Sequence, residues 1–172
     1  MKAKLPLVVL SLALSLPAMA QDEKLLRGSQ INKDTLVDLL TPEPRTRNIG
    51  LANQAPVKRP SAPLMIIFVT NSAELTPGAK KRLDSVGEAL NTDKLSDFKF
   101  DIEGHADPRG GEEFNQQLSQ ARAESVQQYL VLAHHVGQQR LKAIGKGDRE
   151  LLNVKNPTAE ENRRVTIKTV VE

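Results

Sequence analysis

Phe98, Phe100, Ile102 and Gly104 alternate with Lys99, Asp101, Glu103 and His105. A period of two places these sets on opposite faces of a strand, one apolar and one charged. Arg164–Val171 repeats the pattern through Val165, Ile167 and Val171. Strands covered on both sides, as in a doubly wound sheet, read as continuous apolar runs instead. The alternation therefore selects an α/β (α+β) fold, a two-layer sandwich with helices on one face of a mixed sheet.

Further elements follow from their boundary signals. Leu64–Val69 is a continuous apolar run of strand length. Thr76 and Pro77 supply an N-cap and a first-turn proline to a helix whose buried stripe is Ala79, Leu83, Val86 and Leu90, ending near residue 91. A second helix covers roughly residues 113 to 136. Leu141–Gly147 is a third strand, 156–162 a loop or short helical turn, and Arg164–Val171 a fourth strand. The expected order is β-α-β-α-β-β over residues 64–172, long enough to bury a core without disulfides.

The N-terminal third reads differently. Lys2 and Lys4 precede an apolar stretch, Leu5–Leu16, and Ala18-Met19-Ala20 is a small-residue cleavage site, which together make residues 1–20 a signal peptide. The apolar stretch is shorter than the roughly 20 residues a membrane-spanning helix needs, and no second one follows, so the mature chain is expected to be exported without a transmembrane segment. Residues 21–63 carry Pro42, Pro44, Pro56, Pro60 and Pro63 and read as a Pro-containing linker. Inside it Ile31, Leu36, Leu39 and Leu40 fall at helical spacing. Asp34 is placed to cap a short helix and Pro42 to stop it. That helix either docks on the domain or binds an envelope protein.

Composition removes several function classes. The chain has 24 basic and 21 acidic residues, and Lys2 and Lys4 leave with the leader, so the mature balance is near neutral and gives no footprint for nucleic acid. One Tyr, no Trp and four Phe provide no stacking platform for single strands. The chain has no cysteine, which excludes disulfides, thiolate chemistry and a lipid-acceptor cysteine at the cleavage point.

Residues 104–126 hold the chemistry. Asp107 sits in a Pro/Gly loop leaving the Phe98–His105 strand. On a helical projection of the following helix, Leu118, Ala121, Val126, Tyr129, Leu132, Ala133 and Val136 form the apolar face, and Gln116, Gln120, Glu124, Gln127 and His134 the far face. Arg122 falls in the middle of the apolar face, where an unpaired charge is expensive. Asp107 and Arg122 either neutralise each other or grip a zwitterion, the carboxylate receiving an ammonium and the guanidinium a carboxylate. The helix N-terminus would add affinity for the latter. Asn115 either caps the helix or presents its amide to a ligand. Glu103, His105 and Asp107 share a strand face, but without a third histidine or a thiolate they make a poor metal site; no metal or cofactor is expected. Ser119 and Ser125 have no His–Asp pair to activate them, so the chain does not read as an enzyme.

Gly104, His105, Asp107, Gly110, Phe114-Asn115, Leu118-Ser119 and Arg122-Ala123 together resemble the signature of the OmpA-like (OmpA/MotB/Pal C-terminal) peptidoglycan-binding domain family. Phe68–Leu75 and Asn162–Val165 agree with flanking blocks in the same order, so the resemblance covers about residues 64–171. It implies non-enzymatic periplasmic binding of peptidoglycan through the diaminopimelate residue of the stem peptide, anchoring or organising the cell envelope of a Gram-negative bacterium, with peripheral association to the outer membrane. On the matching positions, Asp107 and Arg122 would hold the ammonium and carboxylate of the diaminopimelate centre, and Asn115 and Asn71 would line the pocket. Arg163, which shares strand parity with Val165, would stand near it. Val69 departs from the pattern, standing where many members carry Asp or Asn. An alternative is an envelope-complex assembly protein whose residues 21–63 bind a protein partner.

Overall fold

The computed structural model describes residues 24–43, 59–69 and 71–171. The expected signal peptide lies outside the described residues, as do 44–58 of the expected linker. The elements are α1 (Lys33–Leu40), β1 (Ser61–Leu64), α2 (Pro77–Leu90), β2 (Lys99–Gly104), α3 (Glu112–His134), β3 (Leu141–Gly145) and β4 (Val165–Val170), with a 3-10 turn at Glu160–Asn162. The sheet order is β1-β4-β2-β3. β2 and β3 are parallel, joined by the α3 crossover, while β4 runs antiparallel to both β1 and β2. The result is the mixed sheet with helices packed on one face that the alternation in β2 predicts.

The first strand differs from expectation. It lies at Ser61–Leu64, and only Leu64 of the apolar run 64–69 belongs to it. Ala62 and Leu64 face Ile167 and Val165 of β4 and are fully buried. Pro63 fits because its carbonyl points outward, accepting from Leu26 N at 2.9 Å, so the missing donor faces away from β4. Past Leu64 the chain turns out of the sheet through an Ile66 N to Leu64 O bond of 3.1 Å, a three-residue turn. Met65, Ile66, Ile67 and Phe68 go on to line a groove.

The segment before β1 is built into the fold over 24–43. α1 starts at Asn32, whose side chain accepts from Thr35 N; Asp34, the expected cap, stands in the first turn. Extended backbone at Thr41, before Pro42, ends it. Leu36 and Leu40 are 0% exposed and share one core with Leu83, Leu90, Phe100, Ile102 and Ile167. Thr169 of β4 donates to the Leu40 carbonyl at 2.6 Å, and Leu26 bridges Leu64 on the outer edge of β1.

α3 is rotated relative to its expected face. Its buried residues are Asn115, Ser119, Ala123, Val126 and Leu130, while Leu132 is 68% exposed. Backbone proximity decides this. A Cβ on Gly104 would lie 2.1 Å from the Ser119 carbonyl oxygen, and one on Gly145 2.7 Å from the Gln120 nitrogen, so only small residues fit beneath the helix. The same rotation sets glutamines over the open edge of β3. Gln116 donates to Gly145 O, Gln120 to Ala143 O and Gln127 to Leu141 O, and the Gln120 amide oxygen accepts from Gly145 N. The expected polar face thus satisfies an unpaired strand edge.

The charged face of β2 is also less solvated than its alternation suggests. Glu103 is 1% exposed, with Lys168 Nζ at 2.7 Å and Lys146 Nζ at 3.3 Å, and Asp101 pairs with Arg59 at 3.2 Å. Long cationic side chains cover this face with their stems and neutralise it with their heads.

Two substitutions test the packing. Gly104→Ala forces α3 off the sheet and costs about 1–3 kcal/mol, whereas Gly111→Ala, whose Cβ meets nothing within 4 Å, leaves the thermal midpoint within a degree or so of wild type. Leu40→Ala costs about 2–5 kcal/mol in urea unfolding; a cost under about 1 kcal/mol would make α1 an appendage rather than part of the cooperative unit.

Candidate functional site

Antiparallel pairing brings four segments to one end of the sheet. Gly104 and Gly145 end the parallel strands there, Val165 begins β4 opposite Gly104, and Leu64 ends β1 opposite Val165. Sheet-type bonding continues briefly beyond β2, with His105 N donating to Arg164 O and Ala106 N to Gly147 O. This carries Asp107 to the mouth beside the first turns of α3. A groove of about 750 Å³ opens at this end, lined by the apolar Ile67, Phe68 and Phe114 and the charged Asp107, Arg122 and Arg163 among others.

Asp107 is 6% exposed and its partners are not the expected one. Arg109 grips it bidentately, Nε to Oδ1 at 3.0 Å and Nη2 to Oδ2 at 2.8 Å, and the Arg109 backbone N–H adds a third bond at 3.1 Å. Arg163 Nη1 reaches Oδ2 at 2.7 Å. The Arg109 bonds, aided by Arg163 and opposed by burial, hold the Asp107 carboxyl well below the usual carboxylate range.

Arg122 is not bonded to Asp107, which removes mutual neutralisation as the reason for its position. It stands at the border of the buried face rather than in its middle. Its Nε donates to the Ser72 carbonyl at 3.1 Å, and its guanidinium carbon lies 5.0 Å from the centre of the Phe68 ring. Among the described residues no carboxylate pairs with it. Burial first, then the nearby Arg163 charge, lowers its pKa against the smaller pull of Asp107. A half-buried guanidinium crowded by another cation is costly to leave without a counter-charge.

The remaining expected residues shape this arrangement. Asn71 is exposed on the groove, in a left-handed conformation (φ 51°) that asparagine tolerates, and its turn presents the Ser72 carbonyl to Arg122. Asn115 is 3% exposed and neither caps α3 nor turns its amide outward. Its Nδ2 bonds to the carbonyls of Asp107 at 3.0 Å and Gly110 at 3.2 Å, pinning the loop from below. Asn162, fully buried, does the same for the 153–157 loop, donating to the carbonyls of Asn153, Asn156 and Pro157; this places Arg163 beside it. Val69 does not line the groove. The first turn of α3 holds Glu112 and Glu113, so that helix end already carries carboxylates.

The model of the OmpA family matches residues 67–165. The chain belongs to the OmpA family. Among relatives, the peptidoglycan-associated lipoprotein of Pseudomonas aeruginosa is 35% identical over 102 residues, 59% of this chain and 59% of its own length. The chain spans less than two thirds of the length of the first curated relatives it matches. Of solved structures, the peptidoglycan-associated lipoprotein of Burkholderia pseudomallei superposes with a TM-score of 0.51 at 25% identity, over 66% of this chain and 89% of that one. The cell wall anchor of the T6SS from Pseudomonas aeruginosa gives 0.50 at 26%, over 62% and 76%. No helix among the described residues is long and apolar enough to cross a membrane.

Three groups of this OmpA-family site escaped the sequence reading. Arg109 was visible as an Asp-x-Arg pair in a turn, a spacing that lets a side chain fold back on the carboxylate. Phe68 read as part of an apolar strand and of a flanking family block, not as a partner for Arg122, and a backbone carbonyl such as that of Ser72 leaves no mark in a sequence. The carboxylates weighed as metal ligands are instead neutralised, Glu103 by two lysines and Asp107 by two arginines.

His105 has a different role. It is 2% exposed, its Nε2 lies 3.3 Å from Thr166 Oγ1 and 3.9 Å from Glu103 Oε2, and burial, reinforced by Arg164, Lys168 and Lys146, pushes its pKa down to about 2. The unfolded chain takes up this proton near the ordinary value of about 6.5 while the folded one does not, so acidification from there favours unfolding by about 1.4 kcal/mol per pH unit. Urea unfolding at pH 6.5 and pH 5 should differ by about 2 kcal/mol in the wild type, and His105→Gln should flatten that dependence. Asp107, with its depressed value, acts in the same direction only below the ordinary carboxylate range, outside this window.

Proposed function

We propose that the groove binds peptidoglycan, without catalysis, through the free zwitterionic centre of diaminopimelate in the stem peptide. Arg122 carries the reading. It is half-buried, has no carboxylate partner among the described residues, and stands beside an acidic residue at the mouth of an open groove. Its planar fork suits a bidentate carboxylate, and Asp107 suits the ammonium on the same carbon. Arg163 orients Asp107, Asn115 shapes its loop, Asn71 shapes the turn under Arg122, and Phe68 and Phe114 offer apolar contact to the peptide.

Membership of the OmpA family supports this reading, as do the relatives whose names associate them with peptidoglycan or the cell wall. Together with the leader expected at residues 1–20, this reading has the protein in the periplasm, tying the cell envelope to the wall without cofactor or metal. The partner-binding alternative for residues 21–63 is narrowed by α1, whose apolar stripe, Leu36, Val37 and Leu40, is buried in the domain's own core. A partner would have to use Leu39, which is 39% exposed, or residues beyond the helix.

One zwitterion is a small contact, so a dissociation constant of roughly 10⁻⁵–10⁻³ M is expected, about 4–7 kcal/mol. Pulldown on diaminopimelate-type sacculi should retain the wild type and lose both Asp107→Ala and Arg122→Ala, by about tenfold or more each, with thermal unfolding still cooperative in both variants. Full retention of the two variants would end this reading.

A further inference from the structure

The Asp107 carboxylate has no room for a ligand as it stands. Its Oδ1 accepts from the Arg109 backbone N–H at 3.1 Å and Arg109 Nε at 3.0 Å, and its Oδ2 from Arg109 Nη2 at 2.8 Å and Arg163 Nη1 at 2.7 Å. Two bonds on each oxygen use every lone-pair site. Any cationic group that approaches must take the place of a donor already bound.

The donor that leaves is the Arg109 side chain. It is 61% exposed, against 39% for Arg163, and an ion pair that exposed is held weakly because water competes for both charges. Its backbone N–H stays, fixed by the loop that Asn115 pins. Departure of the side chain frees one lone pair on each oxygen while the backbone N–H and Arg163 keep Asp107 in position. Two adjacent vacant sites fit a compact ammonium, which has three donors on one nitrogen.

The displaced guanidinium either returns to water or meets an anion. Glu160, the other carboxylate lining the groove, is held from outside by Arg27 at 2.9 Å. A ligand with one ammonium and one carboxylate satisfies Asp107 and Arg122 and leaves Arg109 in water. A second carboxylate close to the first centre satisfies Arg109 as well.

We propose that Arg109 holds the ammonium's place on Asp107 in the free protein, and that the site selects ligands bringing a second carboxylate to the guanidinium they displace. This rests on the wall-peptide reading of the groove and names the feature of the peptide that Arg109 senses.

The test is calorimetric titration of the full chain with two synthetic peptides. One is a stem tripeptide ending in diaminopimelate with all carboxyls free; the other has its C-terminal carboxyl as a primary amide. Wild type should favour the free acid by about tenfold, the scale of one charge-assisted hydrogen bond. Arg109→Gln should reduce that preference to under about twofold and bind the amide at least as tightly as wild type does, because nothing has to be displaced. Arg109→Lys, which keeps the charge without the bidentate fork, should recover part of the preference. An unchanged preference in Arg109→Gln, or equal weakening of both peptides in it, would overturn the proposal while leaving wall binding in place. Binding of neither peptide by the wild type would remove the wall-peptide reading and this proposal with it.

Discussion

The approach of α3 to the sheet at Gly104 and Gly145 governs the molecule. With hydrogen as the side chain at both positions, the backbone of Ser119 and Gln120 rests directly on the ends of β2 and β3. A Leu or Ile in either place would hold the helix farther off. Because the layers touch at backbone distance, the helix residues facing the sheet must be small, and Ser119 and Ala123 are. This contact fixes the rotation of α3 about its own axis.

Much follows from that rotation. Asn115, one turn before Ser119, is carried under the Asp107 loop, where its amide closes the loop's carbonyls. Ser119 Oγ accepts from Gly147 N at 2.9 Å, tying the segment after β3 to the same helix. Gln116, Gln120 and Gln127 fall over the unpaired edge of β3. Arg122 lands at the margin of the buried face, far enough in to lose much of its water and far enough out to face the groove. That no carboxylate among the described residues pairs with it is thus a consequence of packing, and it leaves a partly desolvated charge without a counter-charge there.

The electrostatics divide along the same geometry. On the strand face away from the helices, Glu103 is closed off by two lysines and burial keeps His105 neutral. At the end of the sheet Asp107 is paired with Arg109 and Arg163, whereas the contacts of Arg122 among the described residues are a carbonyl and an aromatic ring.

The alternation at Phe98–His105 determined the one-sided sheet, because the period of a strand and the chemistry of its two faces are local properties. Helix starts at Thr76-Pro77 and near Gly111, and the grouping of Asp107, Asn115 and Arg122 on one loop and helix, were legible for the same reason. What the sequence could not decide were matters of distance. Leu64–Val69 looked like a strand throughout, yet partner geometry with β4 moved β1 back to Ser61 and released Met65, Ile66, Ile67 and Phe68 to the groove. Residues 24–43 resembled a linker by composition, and only the space left over Leu83 and Leu90 drew α1 into the core. The helical projection placed Arg122 among leucines since it weighs polarity alone, whereas the close approach at two glycines favours small residues over apolar ones. Which arginine holds Asp107 was settled by a turn that folds Arg109 back two residues and by β4 bringing Arg163 from the far end of the chain. Sequence fixes which charges are present; tertiary structure decides which remain unpaired, because pairing depends on distances that no local pattern encodes.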